Sequence, residues 1–245
     1  MIDWPYPRLC AHRGAGKLAP ENTLAAFRLG CAHGYRMVEF DVKLSADGVA
    51  FLLHDATLDR TTNGHGRADA HTWRELSQLD AGSWHSKAYA GETLPTLAAL
   101  ARWALAHDVA VNVEIKPSPG RERETGAAIA QDVAALWRDA RIAPLLSSFS
   151  HAALEAAAET VSMLPRAFLC DTFDDDTLPL AVDLGCVALD ARHTLLTPDV
   201  IKRAKDAKLR ILAWTVNDPT RANELRALGV DTLITNAIDA ISPGG

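Results

Sequence analysis

The chain has 245 residues, 48% hydrophobic and 23% charged, so it can bury a large core, and a disordered chain is excluded. Its net charge of −6 and pI near 5.8 exclude the basic face of a non-specific nucleic-acid binder. They leave room for a small phosphate ester, because a metal and a few basic side chains can reverse the field locally. Cys10, Cys31, Cys170 and Cys186 form no CxxC pair and read as reduced, mostly buried thiols. Met1 to Pro5 show neither a basic n-region nor an apolar h-region, and no apolar run reaches the ~18 residues that span a bilayer. The expectation is a cytoplasmic protein without membrane insertion.

Short apolar runs alternate with helical patterns, the signature of βα units. The first strand is Leu9-Cys10-Ala11. A helix follows from about Thr23 to His33, with Asn22 as its N-cap and Gly34 at its C-terminal end. The second strand runs from Met37 to Val42. Only Ser45-Ala46-Asp47-Gly48 separates it from the apolar run Val49 to Leu53, too little for a parallel crossover. Val42 to Asp55 therefore reads as a hairpin leaving the mouth of a barrel and returning to it. The longest interruption, about 57–94, is rich in Gly, Asp, His, Trp and Ser and predicts a small cap over that mouth. A helix starting at Pro95 puts Leu97, Leu100, Ala101, Ala104 and Leu105 on one face. Further strand-like runs are Val109 to Ile115, Leu145-Leu146, Ala167 to Leu169, Val187 to Leu189, Leu209 to Val216 and Thr232 to Ile234. A crossover helix, Pro219 to Leu228, ends at Gly229. Eight such runs with helices between most of them predict an α/β fold, a (β/α)₈ TIM barrel, as one domain over 1–245.

Barrel active sites lie at the C-terminal ends of the strands. Glu39 and Asp41 alternate on the second strand and point to one side, while Val38 and Phe40 face the helices. Glu114 adds a third carboxylate from the next strand. Three oxygen ligands without a thiolate suit one hard divalent cation, Mg²⁺ or Ca²⁺. The bland alternative is surface acids paired with Arg36 or Lys43. His12, at the end of the first strand, and His54, on the returning hairpin, can exchange protons near neutral pH. Arg13 and Lys116 place fixed positive charge beside the acids, and Lys116 shares the inward face of Glu114. The bland reading of Arg13 is a salt bridge to Glu21. The remaining histidines read as solvent-facing.

Ala11-His12-Arg13-Gly14, Pro20-Glu21-Asn22-Thr23, Glu39-Phe40-Asp41-Val42, His54-Asp55, Arg60-Thr61-Thr62-Asn63-Gly64, Glu114-Ile115-Lys116, Ser148-Phe149, Trp214-Thr215-Val216-Asn217 and Thr235-Asn236 follow one another in order. Together they resemble the glycerophosphodiester phosphodiesterase family, and most of all its short cytosolic bacterial members. The resemblance covers nearly the whole chain. It implies a (β/α)₈ barrel with a small inserted cap, with His12 and His54 as the acid/base pair and Glu39, Asp41 and Glu114 as metal ligands. It implies Arg13 and Lys116 as phosphate contacts and Trp214 as an apolar wall of the glycerol pocket. The implied reaction is metal-dependent hydrolysis of small-molecule glycerophosphodiesters to glycerol 3-phosphate and an alcohol. With no aromatic cage evident, the leaving alcohol is expected to project toward the cap and solvent. A phospholipase-type phosphodiesterase would want an apolar rim, and a non-catalytic phosphate-ester module would lack part of this set.

Overall fold

The computed structural model describes residues 4–243; the expectation drawn from the first residues, Met1 to Asp3, lies outside the described residues. Strand β1 (Leu9–Ala11) leads into helix α1 (Leu24–Ala32), β2 (Met37–Leu44) and the short β3 (Ala50–Leu52). Next come α2 (Trp73–Leu76), α3 (Leu97–Ala106), β4 (Ala110–Ile115), α4 (Glu122–Leu136), β5 (Leu145–Ser148) and α5 (His151–Thr160). The chain ends through β6 (Arg166–Cys170), α6 (Thr177–Asp183), β7 (Ala188–Arg192), α7 (Pro198–Asp206), β8 (Arg210–Trp214), α8 (Pro219–Ala227) and β9 (Thr232–Thr235). All strands except β3 run parallel, and β1 bonds both β2 and β9, which closes a (β/α)₈ barrel.

Alternation along each strand divides the apolar residues between two layers. Met37, Ala110, Leu145, Ala167, Ala188, Leu212 and Ile234 fill the interior away from the mouth. Val38, Phe40, Val111 and Val113 face outward into the larger core under the helices, where Phe27 meets Phe40 edge-on at 5.8 Å. Truncating either ring would cost about 3–5 kcal/mol without touching the mouth.

The expected hairpin is present. Val42 pairs with Leu52 and Leu44 with Ala50, antiparallel, around a turn in which Gly48 adopts φ +80°. Leu53 N–H then donates to Asp41 O at 3.1 Å, so the chain returns His54 beside the strand that carries the acids. The insertion builds a small apolar cluster of its own with the hairpin: Phe51, Leu53, Leu58, Ala68, Leu76, Ala81 and Leu94. His85 Nε2 lies 3.0 Å from Lys17 O, and Tyr89 donates to Leu18 O, which dock the insertion on the β1–α1 loop. It flanks the mouth and contributes no lining residue to the central cavity. His71, His85 and His193 are half-buried rather than solvent-facing, because backbone carbonyls or packing engage them.

Candidate active site

The first turn after β1 is strained where it matters. Arg13 holds φ +51° and Gly14 φ +95°, and a Cβ on Gly14 would lie 2.8 Å from Phe27 N, so only glycine fits. A left-handed non-glycine residue costs about 1–3 kcal/mol. In return Arg13 aims its backbone N–H at Glu39 Oε2 (3.1 Å) and its side chain at Glu21 Oε1 (2.8 Å) and Asp41 Oδ2 (3.3 Å). The Arg13–Glu21 salt bridge thus exists and also holds Arg13 against the acids.

Glu39, Asp41 and Glu114 are buried, and one oxygen of each lies within 4.8 Å of the others. Register explains this: Asp41 on β2 pairs directly with Glu114 on β4, and Glu39 sits one inward position deeper. The bland pairing does not form, because Arg36 bonds Cys31 Sγ and Tyr35 O, and Lys43 donates to Lys116 O. Lys116 Nζ lies 2.7 Å from Glu114 Oε1 and 3.8 Å from Asp41 Oδ1. Burial and the neighbouring carboxylates push Glu39 well above the usual range. Burial and Asp41 bring Glu114 up to about 7 against the pull of Lys116. Asp41 instead falls to about 2: burial opposes this, but Arg13, His54, Lys116 and a hydrogen bond from Asn22 outweigh it. Glu39 Oε1 and Asp41 Oδ1 are buried without a hydrogen-bond partner. Crowded, unsatisfied oxygens of this kind fit a hard divalent cation.

His12 and His54 face the same cavity. His12 Nδ1 is 2.7 Å from Asn236 Oδ1, whose own backbone N–H donates to Asn217 Oδ1. This fixes the tautomer and leaves Nε2 toward Glu39, 3.7 Å away. His54 Nδ1 is 2.7 Å from Asp55 Oδ1. Asp55 is held by Arg60, Arg60 by Glu21 and Glu21 by Arg13, so alternating charges link the hairpin to the β1 turn. Burial and Arg13 lower His12 to about 4; burial also lowers His54.

Two assignments from sequence need revision or extension. Thr23, not Asn22, caps α1, accepting from Ala26 N–H. Asn22 is buried at φ +59°, donates Nδ2 to Asp41 Oδ2 at 2.9 Å and accepts from Asp41 N–H; it grips a carboxylate instead of a helix end. Trp214 lines the cavity, and Phe149 joins it, edge-on at 5.5 Å, with Lys116 Nζ 5.4 Å from the Phe149 ring. Asn112, Ser147 and Asp190 also line the cavity, about 260 Å³ in volume; Asn112 lies inside a run that reads as plain strand, and Ser147 and Asp190 directly follow the ends of two others.

A family model described as the glycerophosphoryl diester phosphodiesterase family matches residues 12–240. The chain is 31% identical to a glycerophosphodiester phosphodiesterase of Caldanaerobacter subterraneus, over 96% of this chain and 98% of that one. A phosphodiesterase of Oleispira antarctica, solved in complex with the product sn-glycerol-3-phosphate, superposes with a TM-score of 0.90 at 32% identity, covering 96% and 95% of the two chains. A glycerophosphodiester phosphodiesterase of Agrobacterium tumefaciens gives 0.80 at 27% identity, covering 96% and 98%. The chain belongs to the glycerophosphoryl diester phosphodiesterase family.

Proposed function

We propose that this chain hydrolyses glycerophosphodiesters, such as glycerophosphocholine or glycerophosphoethanolamine, to glycerol 3-phosphate and an alcohol. The observation that carries the reading is one cavity lined by two backed histidines, the acid cluster, Arg13 and Lys116. Glu39, Asp41 and Glu114 would hold one divalent cation, Mg²⁺ or Ca²⁺, which would supply Lewis-acid polarisation of a phosphoryl oxygen. The three carboxylates outweigh the two cations by one formal charge. A divalent ion turns that −1 into +1, which matches a singly charged phosphodiester.

Arg13 and Lys116 then face the non-bridging oxygens, and Trp214 covers the carbon edge of the glycerol. His12 presents Nε2 as the base for the attacking oxygen, since its Nδ1 partner is a neutral amide. His54 protonates the leaving alkoxide: burial lowers its pKa, but of the two histidines it is the one whose Nδ1 has a carboxylate, Asp55, to support an imidazolium against that burial. The reading takes the whole chain as one working unit, with a small-molecule substrate and no nucleic acid, in the reducing cytoplasm. Four free cysteines support that compartment, and no helix among the described residues is long and apolar enough to cross a membrane. The test is a coupled assay for glycerol 3-phosphate from glycerophosphocholine. Turnover should vanish with EDTA and return with Mg²⁺ or Ca²⁺; metal-independent turnover, or none under any condition, would refute it.

A further inference from the structure

The cavity contains polar groups that neither the acid cluster nor the histidines explain. Asn112 precedes Glu114 by two residues on β4, so it points into the same interior about 6–7 Å deeper along the strand. Asp190, on β7, meets it from across the barrel: Asn112 Nδ2 donates to Asp190 Oδ2 at 3.4 Å. Ser147, on β5, stands in register beside Glu114. All three are at most 1% exposed, and all line the cavity. Asn112 Oδ1, Ser147 Oγ and Asp190 Oδ1 have no hydrogen-bond partner in the protein.

Barrel interiors are ordinarily filled by apolar side chains, and the deeper layer here is, with Leu145, Ala188, Leu212 and Ile234. Buried polar atoms without partners are rare and costly. Three of them converging on one reactive cavity mark a place where a ligand completes the hydrogen bonding.

We infer that Asn112, Ser147 and Asp190 form a polar floor that takes the terminal hydroxymethyl group of the substrate's glycerol, and so set the requirement for glycerol. The inference rests on the hydrolytic reading above and names the residues behind its selectivity. With the phosphate at the mouth among His12, His54, Arg13 and Lys116, a glycerol turned inward brings its far hydroxyl to this floor. A hydroxyl offers one donor and accepts in return, which suits an amide oxygen, a carboxyl oxygen and a serine hydroxyl together. Trp214 Nε1 donates to Asp190 O at 3.1 Å, which ties the floor to the wall of the same space.

The test compares glycerophosphocholine with 2-hydroxyethyl phosphocholine diester, which keeps the inner hydroxyl and lacks the terminal hydroxymethyl. The wild type should prefer the glycerol ester by about a hundredfold or more in kcat/KM. In Asn112→Ala and Asp190→Ala that preference should shrink at least tenfold, mainly through KM for the glycerol ester. Asp190→Asn and Ser147→Ala, which disturb volume little, should shrink it to a smaller degree and keep the comparison possible if the first pair folds poorly. A preference that stays constant in every folded variant would make the floor structural and overturn the inference. A wild type that hydrolyses both esters equally would overturn it while leaving the hydrolytic reading intact. Hydrolysis of neither ester, with a divalent ion present, would overturn both.

Discussion

His54 Nδ1 lies 2.7 Å from the carboxylate of Asp55, whereas the other cavity histidine, His12, has an amide oxygen at the same distance. On the proposed reading, the difference assigns His54 as the proton donor and His12 as the proton acceptor. His12→Ala and His54→Ala should each lower kcat on glycerophosphocholine by roughly 10²–10⁴ with little loss of stability. Only His54→Ala should regain most of its rate on a p-nitrophenyl ester, whose leaving group needs no proton. Asp55→Asn should cost less, about tenfold. Rescue of His12→Ala in place of His54→Ala would reverse the roles.

Asn22 holds Asp41 through both side-chain atoms. Asn22→Ala should therefore weaken divalent-ion affinity by about 10–100-fold, as loss of a group supporting a ligand does. Isothermal titration with Mg²⁺ and Ca²⁺ measures this. Unchanged affinity would show that Asp41 needs no such support.

The raised carboxyls have a pH consequence. Glu39 stands well above its ordinary 4.5 and Glu114 near 7, so these two carboxyls hold more protons in the metal-free folded protein than in the unfolded chain between those values, while the lowered His12 and His54 act in the opposite sense below about 6.5. The contribution of the two carboxyls to stability therefore falls as pH rises from about 4.5 through 7. A divalent ion needs the deprotonated carboxylates and relieves this repulsion. Saturating ion should raise Tm by several degrees more at pH 8 than at pH 5. Equal gains at both pH values would mean that the cluster does not bind the ion.

The leaving alcohol should contribute little. Choline and ethanolamine esters should agree within about tenfold in kcat/KM, and bis(p-nitrophenyl) phosphate should be far slower. A gap above about a hundredfold between choline and ethanolamine would reveal a head-group site. The place to look is the groove of about 660 Å³ beyond Phe149, where Phe168 and Asp171 line the wall.

The barrel and the clustering of the candidate residues were legible because each strand carries its own signal. Glu39 and Asp41 alternate, Glu114 and Lys116 repeat that spacing, and Asp47-Gly48 announces the turn that returns His54. The supporting residues were not legible in the same way. Asn236 reaches His12 across 224 positions, and Arg60 reaches Glu21 across 39, so no local pattern relates them. Asn22 looked like a helix cap because its residue type suits one; its left-handed backbone and grip on Asp41 appear only when β2 is in place. Asn112 and Asp190 sit in runs whose neighbours are apolar, and periodicity alone does not show which polar residue of a strand faces a cavity.

The central claim is that this cavity cleaves the bond between phosphorus and the alcohol, leaving phosphate on glycerol. ³¹P NMR of the reaction with glycerophosphocholine and a divalent ion tests it most directly. The account predicts conversion of the diester signal to that of glycerol 3-phosphate, with choline released in equal amount. Phosphocholine and glycerol as products, or a diester signal that persists with wild-type enzyme and metal, would contradict it.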